Sequence, residues 1–168
     1  MSKGQQPLCE PELFEPLQEL VKRYGIVNLV ETGTGPSSSG LEAAKRLGLR
    51  GYSCDVFRPC VERAAHMYPG SLCFHGESLG FFAHILPTLV GPTFFWLDAH
   101  TDEECPVMRE IAAINRSPLP HVILVDDARL FGLFPAWPNK HEVLEALSNG
   151  GKRTVYEIDD VIVAEPCP

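Results

Sequence analysis

Apolar positions along the chain change their period repeatedly, and each change marks a boundary between elements. Leu13, Leu17, Leu20, Val21 and Tyr24 recur at helical spacing, with Pro16 in a first turn and Gly25 as a stop, which predicts an opening helix over about residues 11–24. Residues 26–30 form a short β-branched run that breaks into Glu31-Thr32-Gly33-Thr34-Gly35-Pro36 and three serines, the pattern of a strand, a tight loop and a helix. The same sequence of events follows four more times. Strands are predicted over residues 51–54, 71–74, 93–97 and 121–125, ending at Asp55, His75, Asp98 and Asp126-Asp127. Between them lie helical stripes over residues 59–67 and 78–86 and through Val107, Ile111 and Ile114, the last with Thr101 and Glu104 as a capping box. Val143, Leu144 and Leu147 predict a final helix, and residues 153–158 and 161–164 a closing hairpin turned at Asp159-Asp160.

Strands that alternate with helices through short loops imply a parallel sheet covered on both faces, because parallel strands need crossover connections. The expected architecture is α/β, doubly wound, with seven mostly parallel strands and an antiparallel C-terminal hairpin. No repeat, low-complexity tract or linker interrupts the pattern, so residues 1–168 are read as one domain. With 45% hydrophobic and 21% charged residues, the composition is that of a globular chain rather than a disordered one. Apolar runs broken by His84, Pro87 and Pro92 fall short of the roughly 20 residues a bilayer span requires, and residues 1–11 lack the pattern of a secretory signal. The expectation is a cytoplasmic protein without membrane contact. Six scattered cysteines without paired spacing are read as reduced thiols. A net charge of −8 argues against nucleic acid and for a small-molecule partner.

In doubly wound sheets ligands sit at the carboxyl ends of the strands, so the residues that end each strand are the candidates. Gly33 and Gly35 allow close backbone approach to a ligand. Asp55, about 20 residues on, is placed to accept hydrogen bonds from a ribose. Ser38 stands where a dinucleotide fingerprint has its third glycine. Glu31, directly ahead of the loop, repels a pyrophosphate but can pair, directly or through water, with the ammonium of an amino-acid moiety. Together these favour S-adenosylmethionine over NAD. A purely structural reading has Glu31 and Asp55 capping the turn and helix that follow them.

Asp98, Asp126 and Asp127 end neighbouring strands, which lie about 4.8 Å apart, and a divalent cation such as magnesium would relieve their mutual repulsion. The competing reading has Asp98 bordering the cofactor pocket, with Asp126-Asp127 capping a helix and pairing with Arg129. His100 is a candidate ligand or base, and Cys105 turned inward beside it would admit a softer metal. His75, His84 and the phenylalanines at 81, 82, 94 and 95 are assigned no chemistry.

These residues resemble the class I S-adenosylmethionine-dependent methyltransferases, from Ile26 to the final hairpin. Glu31-Thr32-Gly33-Thr34-Gly35 resembles the family's first motif, Asp55 its ribose acid, Gly76-Glu77-Ser78 its adenine-side loop and Asp98 its fourth-strand acid. The stretch Phe95-Trp96-Leu97-Asp98-Ala99-His100, followed by Val125-Asp126-Asp127, is similar to the magnesium-dependent O-methyltransferases of the catechol and macrocin types. Residues 96–129 also resemble uncharacterised bacterial methyltransferase-like proteins. The resemblance implies a Rossmann-like fold and metal-assisted O-methylation of a small hydroxylated acceptor. It implies cofactor binding by Glu31, Thr32, Gly33, Gly35, Ser38, Asp55, Glu77 and Ser78, metal binding by Asp98, Asp126 and Asp127, and catalysis by His100 and Asp98. Short acceptor-side loops suggest a homodimer. The alternatives are a cofactor-binding protein with non-methylating chemistry, a pseudoenzyme, or an NAD-linked oxidoreductase.

Overall fold

The structure, a computed structural model, describes residues 7–167. Its strands are β1 (Asn28–Thr32), β2 (Arg50–Asp55), β3 (Leu72–His75), β4 (Thr93–Leu97), β5 (Val122–Val125), β6 (Arg153–Ile158) and β7 (Val161–Pro166). Six helices accompany them: α1 (Pro11–Tyr24), α2 (Ser39–Leu47), α3 (Arg58–Met67), α4 (Ser78–Ile85), α5 (Val107–Ile114) and α6 (Lys140–Ser148). The strands form one sheet in the order β3-β2-β1-β4-β5-β7-β6, with β1 to β5 parallel and β7 antiparallel to both β5 and β6. The doubly wound α/β expectation, including its antiparallel hairpin, is met.

Strand periodicity divides the core. Val30, Phe95, Leu97, Ile123 and Val125 face α4, α5 and α6, while Leu29, Phe94, Trp96, Val122 and Leu124 face α1 and α2. Burying such side chains contributes roughly 1.5–3 kcal/mol each, which makes the central strands the rigid part of the molecule. The chain leaves β1 in one direction to build β2 and β3, then returns to lay β4 on its other side. The reversal of strand order therefore falls between β1 and β4. No helix among the described residues is long and apolar enough to cross a membrane.

Three local expectations are corrected. The first strand runs Asn28–Thr32 rather than 26–30, because β1 is flanked by β2 and β4 and enclosed on both faces, so its polar end is held in the ladder. Pro16 lies inside α1, which starts at Pro11, and the helix forgoes one backbone hydrogen bond there. Thr101 and Glu104 close a turn of their own, Thr101 Oγ1 accepting the Glu104 N–H at 3.0 Å, while α5 starts later, behind Pro106. The capping box of the molecule is Asn139 with Glu142, at the start of α6.

Candidate functional site

A cavity of about 350 Å³ opens at the carboxyl ends of the parallel strands, astride the β1–β4 reversal. It is within the range of small-molecule sites. Gly33, Gly35, Asp55, Glu77, Ser78, Asp98 and His100 line it, whereas Glu31, Thr32 and Ser38 are enclosed behind its wall.

The loop after β1 is shaped by two close approaches. Gly33 has φ +78°, and a Cβ there would lie 2.4 Å from the Asp98 carbonyl oxygen, so only glycine brings this loop against the end of β4. Gly40, in the first turn of α2, would set a Cβ 2.9 Å from the Glu31 side chain. That contact exists because Glu31 is tied down twice, accepting the Gly40 N–H at 2.6 Å and the Ser53 hydroxyl at 2.6 Å. Burial still pushes its carboxyl up to about 7. Thr34 joins the chain through its hydroxyl contact of 2.6 Å with Ser53. Asp55 braces the loop from β2, accepting the Gly35 N–H at 2.8 Å and the Phe57 N–H at 2.7 Å. Arg63 of α3 donates to the Gly35 carbonyl at 2.8 Å.

At the ends of β4 and β5 the acids divide into two groups that share Asp127. Asp98, His100 and Asp127 offer ligating atoms within 4.8 Å of one another, and so do Asp126, Asp127 and Asp160. Asp127 has φ +56°, which turns it away from Asp126 and toward His100, whose Nε2 lies 2.9 Å from its carboxylate. Arg129 contacts Asp127 at 2.7 Å and also Asp160. The imidazole contact, followed by the Arg129 charge, holds Asp127 below the ordinary carboxylate range. Asp98 is raised, by burial first and then by Asp126, and burial pushes Asp126 up to about 6. The arrangement can polarise an imidazole, hold a proton or ligate a cation.

Two residues of the site lay outside the sequence reading. Trp137 meets the His100 ring at a centroid distance of 4.6 Å and donates its indole N–H to the Thr101 carbonyl at 2.8 Å. It comes from the loop before α6, 36 positions beyond Thr101, and no local pattern links the two. Glu110 is fully enclosed on α5, beside a second, smaller cavity behind Asp98 and His100. Its signal was present in the chain: it is the one carboxylate inside the apolar stripe Val107, Ile111, Ile114.

No protein-family model matches the chain, and no curated protein matches it in sequence. Solved structures do. An O-methyltransferase from Bacillus cereus, in complex with S-adenosylhomocysteine (SAH), superimposes with a TM-score of 0.68 at 17% identity, over 94% of this chain and 82% of that one. A methyltransferase of the mycinamycin biosynthetic pathway, in complex with Mg, SAH and mycinamycin VI, gives 0.66 at 13% identity over 92% of this chain. The match spans 49% of that protein's length. Geranyl diphosphate C-methyltransferase from Streptomyces coelicolor A3(2), in complex with Mg²⁺, geranyl diphosphate and S-adenosyl-L-homocysteine, gives 0.55 at 12% identity, over 92% and 78% of the two chains. The chain has the Rossmann-like fold of these methyltransferases.

Proposed function

We propose that the chain binds S-adenosylmethionine in the cavity at the β1–β4 reversal and transfers its methyl group to an oxygen of a small hydroxylated acceptor. The observation that carries this reading is the apposition of Gly33 to the Asp98 backbone on a wall that also holds Asp55. A bulky loop residue would close the site, and glycine keeps it open. Asp55 fits a ribose: each of its oxygens accepts one backbone N–H and retains capacity for a hydroxyl donor. Glu31 serves the site from behind, by fixing the loop and the start of α2. When bound, the cofactor supplies a reactive sulfonium methyl, so the protein's contribution is largely alignment and removal of one proton. As the new C–O bond forms and the S–C bond breaks, the acceptor's hydroxyl proton passes to His100. Asp127 holds the imidazole, and with Nε2–H donating to it, Nδ1 is the basic nitrogen.

A divalent metal fits the donor chemistry of the strand ends. Asp98, Asp126 and Asp127 would hold it, with His100 and Asp160 within reach, and it would supply Lewis acidity toward the acceptor oxygen. Magnesium in two of the similar structures supports this assignment. Arg129 favours a second, metal-independent variant of the same reaction, because it already neutralises Asp127 and Asp160.

Calorimetric titration of S-adenosylmethionine and SAH into metal-stripped protein, with and without added magnesium, tests the reading. Micromolar binding of either supports it, and tighter binding with magnesium favours the metal form. Absence of binding in both conditions overturns it. Incubation with hydroxylated acceptors then separates methyl transfer, which releases SAH, from attack on the other chain, which releases methylthioadenosine.

A further inference from the structure

Glu110 is fully enclosed, on the face of α5 that also buries Val107, Ile111 and Ile114. Neither of its oxygens has a partner in hydrogen-bond geometry, and the enclosed Thr32 hydroxyl is equally unpartnered. The hydroxyls of Ser78, at the start of α4, and Thr32, at the end of β1, are the polar groups that face it and ease its burial; Arg109 on its own helix adds a weaker effect. A leucine or methionine in this place would be cheaper for the fold, since an enclosed carboxyl without partners costs several kcal/mol on the usual scale. Of this buried cluster, Ser78 alone reaches the wall of the large cavity.

We propose that Glu110 is a positioning residue that sets nucleobase specificity: by accepting the Ser78 hydroxyl hydrogen, it leaves the Ser78 oxygen as a hydrogen-bond acceptor facing the base of the bound nucleoside. This inference rests on the cofactor reading above. A ribose held at Asp55 leaves the end of the cavity between α4 and α5, where Ser78 stands, for the base. An acceptor at that point meets the exocyclic amino group of adenine and opposes the keto oxygen of hypoxanthine. Without Glu110 the Ser78 hydroxyl is free to rotate and can donate as readily as accept, so the discrimination is lost.

The test is calorimetry of SAH and S-inosylhomocysteine against wild type, Glu110→Gln and Glu110→Leu, with thermal melts of the ligand-free proteins. Wild type should prefer the adenosyl compound by roughly tenfold or more, the usual effect of an unsatisfied or opposed polar group. Glu110→Gln, whose amide oxygen still accepts from Ser78, should keep that preference. Glu110→Leu should bind SAH about tenfold more weakly and lose the preference, while its melting temperature holds or rises. Ser78→Ala should bind as Glu110→Leu does. Equal affinity and preference in wild type and Glu110→Leu would overturn the inference, as would a weakening in both Glu110 variants that tracks a fall in melting temperature, since that marks a structural role. Wild type that binds SAH without preference overturns this inference alone. Wild type that binds neither compound overturns the cofactor reading with it.

Discussion

Two glutamates are enclosed on opposite faces of the same sheet, and the fold completes only one of them. Glu31 faces α2 and receives two short hydrogen bonds, from Gly40 and Ser53. Glu110, on the α4–α5 side, receives none in proper geometry. Burial lifts both carboxyls to about 7. Glu31 thus behaves as part of the scaffold, because removing it strands its donors. Glu110 behaves as a site, because the fold leaves its capacity unused. A perturbed carboxyl alone would not separate the two; the accounting of its partners does.

The comparison can be broken most forcefully at Glu31. Glu31→Leu leaves the Gly40 N–H and the Ser53 hydroxyl without a partner in a closed space and should cost about 2–5 kcal/mol, read as a large fall in the denaturation midpoint. Glu110→Leu, by contrast, should cost nothing. Next in size is a pH effect. Both glutamates keep their protons in the folded state up to about pH 7 but lose them near the ordinary 4.5 when unfolded, so the native state binds more protons in between and stability falls as pH rises across that window. His121, lowered to about 4 by burial, works in the opposite direction. The clean measurement is therefore the difference between wild type and Glu110→Gln. Wild type should lose on the order of 1–3 kcal/mol relative to the variant between about pH 5 and 7.5, and a pH-independent difference would mean that Glu110 is ionised throughout.

The two smaller effects form a matched pair. Ser53→Ala removes a hydroxyl that bonds Glu31 at 2.6 Å and contacts Thr34 at 2.6 Å, and should lower stability by about 1 kcal/mol. Thr32→Val removes a buried hydroxyl that has no partner in hydrogen-bond geometry, and should change stability by less than about 0.5 kcal/mol. Equal costs in chemical denaturation would contradict the distinction drawn between the two faces.

Much of this was legible in the chain. The doubly wound sheet, the hairpin and the placing of Gly33, Gly35, Asp55, Glu77, Ser78, Asp98 and His100 around one space followed from periodicity and from which residues end each strand. What was hidden depends on direction rather than position. Glu31 looked like a residue at the mouth of the site, but β1 continues through Thr32 and its side chain points under the loop, toward α2. Asp126 and Asp127 looked like a pair, but the left-handed backbone of Asp127 sends the two carboxylates to different neighbours. Trp137 was beyond reach because its meeting with His100 is made by the tertiary path of the chain. Glu110 could have been found, since a carboxylate within a helical apolar stripe is a conflict between local pattern and burial that points to a special role.

The position of β7 has a bearing on how the molecule is made. It follows β6 in the chain yet inserts between β5 and β6. During synthesis β6 emerges with no strand to pair with, and the flank of β5 stays open until residues 161–166 arrive to seal both at once. A nascent chain halted before Val161 would carry an unsatisfied, apolar strand edge of the kind that recruits other chains. Completion of the sheet is thus a late, all-or-none event, and premature termination in the hairpin should yield aggregates rather than a slightly shortened protein.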